Sequence, residues 1–259
     1  MSTDNFDGEQ LEPPENPPIF NLPRIVIIIF ACFVFVHLVR TFASKELDDW
    51  LILNFAFTPA RLSPPPELAG LVFPGGFLGD IWTFFTHALL HADWEHLGFN
   101  SVWMFVFGTV VARRISAVQF ILFSIYTAGF GAVAFYLFNF GSFTFLIGAS
   151  GAISGMMGGA IRLMYSVEGG MANLRRHDFK DVKLLPLVQI VQNKSAMMFV
   201  FVWMVLNIIF GVTGFGAGDS VSSIAWEAHL GGFIAGFVLF GFFDPGRNTK
   251  SIFSRFRRR

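Results

Sequence analysis

Apolar residues along this chain gather into six long runs, at 25–43, 95–112, 117–138, 146–166, 197–214 and 224–243. Each is close to the roughly 20 apolar residues a helix needs to cross a hydrocarbon core, so the pattern predicts six membrane-spanning helices. A long stretch, 44–94, separates the first two runs and is broken by PARLSPPPEL. Its apolar pieces, WLILNFAF and LGDIWTFFTHALL, are too short to cross. They are expected to lie at the interface or to re-enter part-way.

Composition places the chain firmly in one class. It is 54% hydrophobic with only 14% charged residues and a mean hydropathy of +0.59, which excludes an ordinary soluble domain. The fold class is therefore an all-α polytopic membrane protein. A net charge of zero offers nothing to a nucleic acid. The single cysteine, Cys32, lies in an apolar run, so no intramolecular disulfide is possible and no cysteine-based metal site is expected. Residues 1–23 are acidic and proline-rich and read as a disordered tail; they lack the basic start and cleavage site of a signal peptide, so the first run is expected to stay as an anchor.

Charge then orients the spans. With the N-terminus inside, the cytoplasmic loops hold Arg113, Arg114, Arg175, Arg176, Lys180, Lys183 and Lys194, and the tail 244–259 adds six more basic residues. The opposite side has little beyond Arg40, Lys45 and Arg61. Both termini are expected in the cytoplasm. The domain organisation is thus an acidic tail, 1–23, a membrane domain, 24–243, and a basic tail, 244–259.

That orientation brings scattered polar residues to one depth. His96 and Asn100 fall in the first turns of span two, Ser150 near the start of span four, and His229 about a turn into span six. All three spans run outside to inside, and the i,i+4 spacing of His96 and Asn100 puts both on one face. Strongly polar groups inside a bilayer are costly and mark function by default. The chemistry available is acyl transfer. Ser150 is a nucleophile once His229 takes its proton, and the Ser150 backbone N–H with the His96 and Asn100 side chains would hold the oxyanion. No carboxylate is placed to orient His229: Glu227 points to another side of its helix and Asp219 lies in a loop, so the expected unit is a dyad. His87, His91 and Ser154 are expected to join His96 and Asn100 around a wet cavity that admits water. The glycines of GASGAISGMMGGA and HLGGFIAG also read as packing faces that let spans four and six approach closely enough for Ser150 and His229 to hydrogen-bond.

Three motifs carry a family resemblance over roughly residues 24–243. GASG at Gly148–Gly151, AHLGGFIAG from Ala228, and HALLHADWEHLGFN from His87 to Asn100 together resemble the rhomboid intramembrane serine proteases. The resemblance implies a six-helix core entered by substrate between helices two and five, and a mobile cap at 213–223. It implies membrane-anchored protein substrates whose spanning helix unwinds near the outer face, and no metal or cofactor. The chain departs from the usual family pattern at Thr83, which follows Trp82, at Ala112 and at Ser154.

Three rival readings stand beside it. The first is a catalytically inactive relative that binds transmembrane clients, although this chain keeps both Ser150 and His229. The second is a metal or haem protein using His87, His91, His96 and His229, although no His-Glu-x-x-His motif exists. The third is a small transporter, for which no internal repeat speaks. The N-in, C-in orientation favours a bacterial inner membrane.

Overall fold

The apolar run at 146–166 supplies the centre of the molecule. In a computed structural model, which describes residues 22–68, 70–166, 179, 182–213 and 225–245, this run forms helix α7 (Ser150–Met164). Every residue from Gly151 to Met164 is buried, so α7 is enclosed by protein on all sides. Around it lie α4 (Trp94–Trp103), a π-helical turn (Met104–Gly108) that leads without a break into α5 (Thr109–Arg114), α6 (Ala117–Phe138) and α10 (Trp226–Phe243). α1 (Arg24–Phe42) and α9 (Lys194–Thr213) stand at the periphery, and the short α8 (Leu187–Gln192) precedes α9. The remaining helices, α2 (Lys45–Phe55) and α3 (Gly76–Thr86), belong to the long connection after α1.

Helices thus occupy all six expected spans. α1, α6, α9 and α10 are each long and apolar enough to cross a membrane alone. Their outward faces carry large apolar side chains such as Phe35, Leu122, Phe201 and Ile234, as a surface solvated by lipid requires. The protein is an all-α polytopic membrane protein. The two tails, 1–21 and 246–259, and the segment expected to form a cap lie outside the described residues, except Thr213, which ends α9.

One boundary differs from the hydropathy reading, because span four begins at Ser150 and not at Leu146. The backbone of Leu146 is extended and bridges Phe57 in antiparallel fashion, Leu146 N–H donating to Phe57 O at 2.7 Å and Phe57 N–H to Leu146 O at 3.2 Å. Gly148 N–H donates to His87 O at 3.0 Å. The long connection therefore supplies the partners that let non-helical backbone enter the molecule. Hydropathy scores an extended Leu-Ile-Gly and a helical one alike, which is why the run looked longer than the helix.

The connection itself is pinned by Arg61. Its buried guanidinium donates to Leu53 O (2.5 Å) and Pro74 O (3.2 Å), pairs with Asp80 (3.3 Å), and lies 4.9 Å from the centre of the Phe73 ring. Trp82 Nε1–H adds a bond to Asn54 O at 2.7 Å, and Arg40 reaches from α1 to Asp48 and to His91 O, each at 2.6 Å. Thr83, beside Trp82, is fully buried. Arg61 is the cation that gathers this connection. At the far end of the bundle Arg114 pairs with Asp244 at 2.7 Å, both side chains 4% exposed, and so ties α5 to the end of α10.

Candidate active site

Helix starts differ in one informative way. The N-termini of α2, α4 and α6 are each closed by a side chain, from Ser44, Asp93 and Ser116 respectively. At α7 the cap position is Ala149, which has no side-chain oxygen to offer. The first-turn N–H groups at Ser150 and Gly151 thus have no intrahelical carbonyl and no capping side chain, and they carry the positive end of the helix dipole. Ser150 is half-buried and is the first residue of the helix. Such a helix start favours negative charge.

Two predicted residues converge on this helix start. Gly148 has φ +115°, open to glycine and strained for any side chain. A Cβ there would sit 2.7 Å from both Cε1 and Nε2 of His96 and 3.6 Å from Nδ2 of Asn100. Both side chains of α4 therefore lie against the backbone two residues before Ser150. The His96 ring is held from behind, its Nδ1 accepting from Ala92 N–H at 3.4 Å, and the residue is fixed at the helix start by its backbone N–H, which donates to Asp93 Oδ1 at 2.7 Å. A backbone N–H can only donate, so in the neutral ring the proton rests on Nε2, the nitrogen beside Gly148. Asn100 is buried and its Nδ2 has no hydrogen-bond partner among the described residues. A buried donor is normally satisfied.

His229 reaches the same level from α10. A Cβ on Gly232 would fall on the Gly151 carbonyl, and one on Gly236 would fall on the Gly155 carbonyl. The two helices are therefore parallel and touch backbone to backbone, which only side chains of no size permit. With Gly151 opposite Gly232, Ser150 lies one residue and His229 three residues towards the same end. At about 1.5 Å per residue the two differ in height by about 3 Å. Gly131 of α6 closes the third side, its absent Cβ being 2.9 Å from Ala228 O. The helices approach as the glycine pattern predicts, yet among the described residues no hydrogen bond joins Ser150 Oγ to His229. Such bonds are often looser before substrate binds.

A partner of His229 that the sequence did not reveal comes from α9. His229 Nδ1 and Asn207 Oδ1 are 2.5 Å apart, and Asn207 Nδ2 donates to Trp226 O at 3.2 Å. The signal in the sequence was a single amide in an otherwise apolar span, a residue type that hydrocarbon penalises. Glu227 turns away as expected and accepts from Asn139 Nδ2 at 3.3 Å.

The other polar residues are placed as follows. His87 and His91 are fully buried with both ring nitrogens unpartnered among the described residues. The His91 ring lies 5.3 Å from that of His96, and the Phe33 ring covers it at 5.0 Å. His37 is buried edge-on against Trp94. Ser154 is buried one turn along α7. Among the described residues no group of three or more His, Cys, Asp or Glu side chains is arranged to hold a metal ion.

Comparison with known proteins identifies the family. The rhomboid protease GlpG of Haemophilus influenzae is 27% identical over 79 residues, covering 30% of this chain and 40% of that protein. The putative rhomboid protease YdcA of Bacillus subtilis is 36% identical over 86 residues, covering 31% of this chain and 40% of that protein. The matched segments thus span less than half of either relative. The family model of the Rhomboid domain matches residues 78–244, from within α3 to the end of α10. That match takes in more than half of the chain and includes His96, Asn100, Ser150 and His229: the chain belongs to the rhomboid family.

Proposed function

We propose that this protein is an intramembrane serine endopeptidase acting on membrane-anchored proteins, with Ser150 as nucleophile and His229 as general base and acid. The observation that carries this reading is the uncapped start of α7, which has His96 and Asn100 against Gly148 on one side and His229 at nearly its own height on the other. His229 Nε2 takes the Ser150 Oγ proton as Oγ attacks the scissile carbonyl carbon. The oxyanion is received by the Ser150 N–H, His96 Nε2–H and Asn100 Nδ2–H, the last without a hydrogen-bond partner among the described residues. Collapse breaks the C–N bond and His229 gives the proton to the leaving amine; water, deprotonated by His229, then attacks the acyl carbon, the C–Oγ bond breaks, and His229 returns the proton to Ser150 Oγ.

The depth of the site fits this chemistry. A 15-residue α7 is about 22 Å long, short of a hydrocarbon core of about 30 Å. Its Ser150 end can therefore lie several ångströms below a membrane surface, within reach of a partly unwound transmembrane segment. The basic loops support an orientation with both termini in the cytoplasm and a bacterial inner membrane as the location.

The test is cleavage of a model single-span substrate in detergent and in liposomes by the wild type, Ser150→Ala and His229→Ala. Product from the wild type and none from either variant is expected. Undiminished cleavage by either variant would sink the mechanism. A second reading, an inactive relative that binds transmembrane clients, draws on the unmade Ser150–His229 hydrogen bond. Binding of substrate by a wild type that never cleaves it would favour that reading.

A further inference from the structure

Of the 20 residues of α9 only Ala196 and Asn207 are buried; Met197, Phe199, Val200 and Trp203 pack part-buried on the bundle, and most of the rest faces outward to lipid. An amide in such a helix is expensive unless it is hydrogen-bonded, and both ends of this one are. Its orientation is determined by its partners. The Trp226 carbonyl can only accept, so it takes the amide N–H and turns Oδ1 towards the histidine. A carbonyl oxygen cannot donate, so the short contact to His229 Nδ1 requires the ring proton to sit on Nδ1. The neutral ring then has its lone pair on Nε2, the form a general base for Ser150 requires. The sequence offered no carboxylate for this role, and Glu227 bonds to Asn139 instead.

We propose that Asn207 is the positioning residue of the site, a neutral third member that selects the Nδ1–H tautomer of His229 and orients its ring towards Ser150. The geometry shows the histidine–acceptor half of such a unit, its acceptor an uncharged amide delivered by a different helix. An amide suits this position because it holds the ring without placing a full negative charge at membrane depth. The inference rests on the protease reading for its kinetic consequence, and on geometry alone for the tautomer.

Two measurements on the full chain test it. The first is the ring ¹⁵N spectrum of the histidine-labelled protein in liposomes, with His229 assigned by comparison with His229→Gln. An Nδ1–H tautomer is expected in the wild type and in Asn207→Asp, and a loss of that preference in Asn207→Leu and Asn207→Ala. The second is cleavage kinetics of the model substrate. Asn207→Leu is expected to lower kcat by about 10- to 100-fold, part of the usual 10²–10⁴ contribution of a general base, with KM changed less than about twofold. Asn207→Asp, which keeps an acceptor, is expected to recover most of the loss; a residue that only packs would not be rescued in kcat alone. An Nε2–H tautomer in the wild type, or a wild-type kcat in both Asn207→Leu and Asn207→Ala, would overturn the proposal. A wild type that cleaves nothing yet shows an Asn207-dependent Nδ1–H signal would remove the protease reading and uphold the orienting role.

Discussion

The sharpest consequence of the α7–α10 contact is the effect of a single methyl group at Gly232. Its Cβ would lie on the Gly151 carbonyl and 3.2 Å from Gly151 Cα. Both obstacles are backbone, so neither can rotate aside, and the helices must part by about 1 Å to restore ordinary contact. Overpacking of this kind costs about 1–3 kcal/mol. The separation opens between Ser150 and His229, where a misplacement of about 1 Å typically costs about 100-fold in rate. Gly158→Ala provides the comparison: its Cβ would sit 2.6 Å from Phe233 O and Phe237 N, in the same interface but about 12 Å along α7 from Ser150. Thermal unfolding in detergent should show both variants less stable than the wild type by similar amounts. Cleavage kinetics should separate them, Gly232→Ala losing about 100-fold in kcat and Gly158→Ala less than about 10-fold. A Gly232→Ala protein with wild-type stability and turnover would refute the backbone contact, and with it the argument that places His229 level with Ser150.

Two further perturbations test the site and its frame separately. Gly148→Ala forces a side chain into φ +115° and drives a methyl into the His96 ring; a cost of about 1–3 kcal/mol in stability is expected. Displacing one oxyanion donor should also lower kcat by about 100- to 1000-fold, and unchanged turnover in a kinetic assay would remove His96 from the mechanism. Asp244→Ala leaves Arg114 buried without its carboxylate and should destabilise the protein by about 3–5 kcal/mol in chemical or thermal unfolding. The folded fraction should cleave normally, because this pair lies at the end of α10 opposite to His229; loss of turnover in excess of loss of folded protein would contradict that placement.

How much of this was legible in the sequence depends on the range of the interaction concerned. His96 and Asn100 were readable because i,i+4 spacing survives any packing, and the glycines of α7 and α10 were readable because close helix approach leaves a periodic trace. Arg61 and Asn207 were not. Arg61 acts through carbonyls at Leu53 and Pro74 that no side-chain pattern records. Asn207 acts across two helices, and one amide in an apolar run gives no indication of which neighbour it will meet. The start of α7 joins both lessons. Hydropathy extended that span to Leu146, yet the residues before Ser150 are held open by backbone bonds to Phe57 and His87 on the preceding connection. The shortening is what makes a site possible: a helix begun at Leu146 would satisfy the N–H groups of Ser150 and Gly151 with its own carbonyls. Those donors would then be spent within the helix, and His96 and Asn100 would face a closed backbone instead of an open helix start.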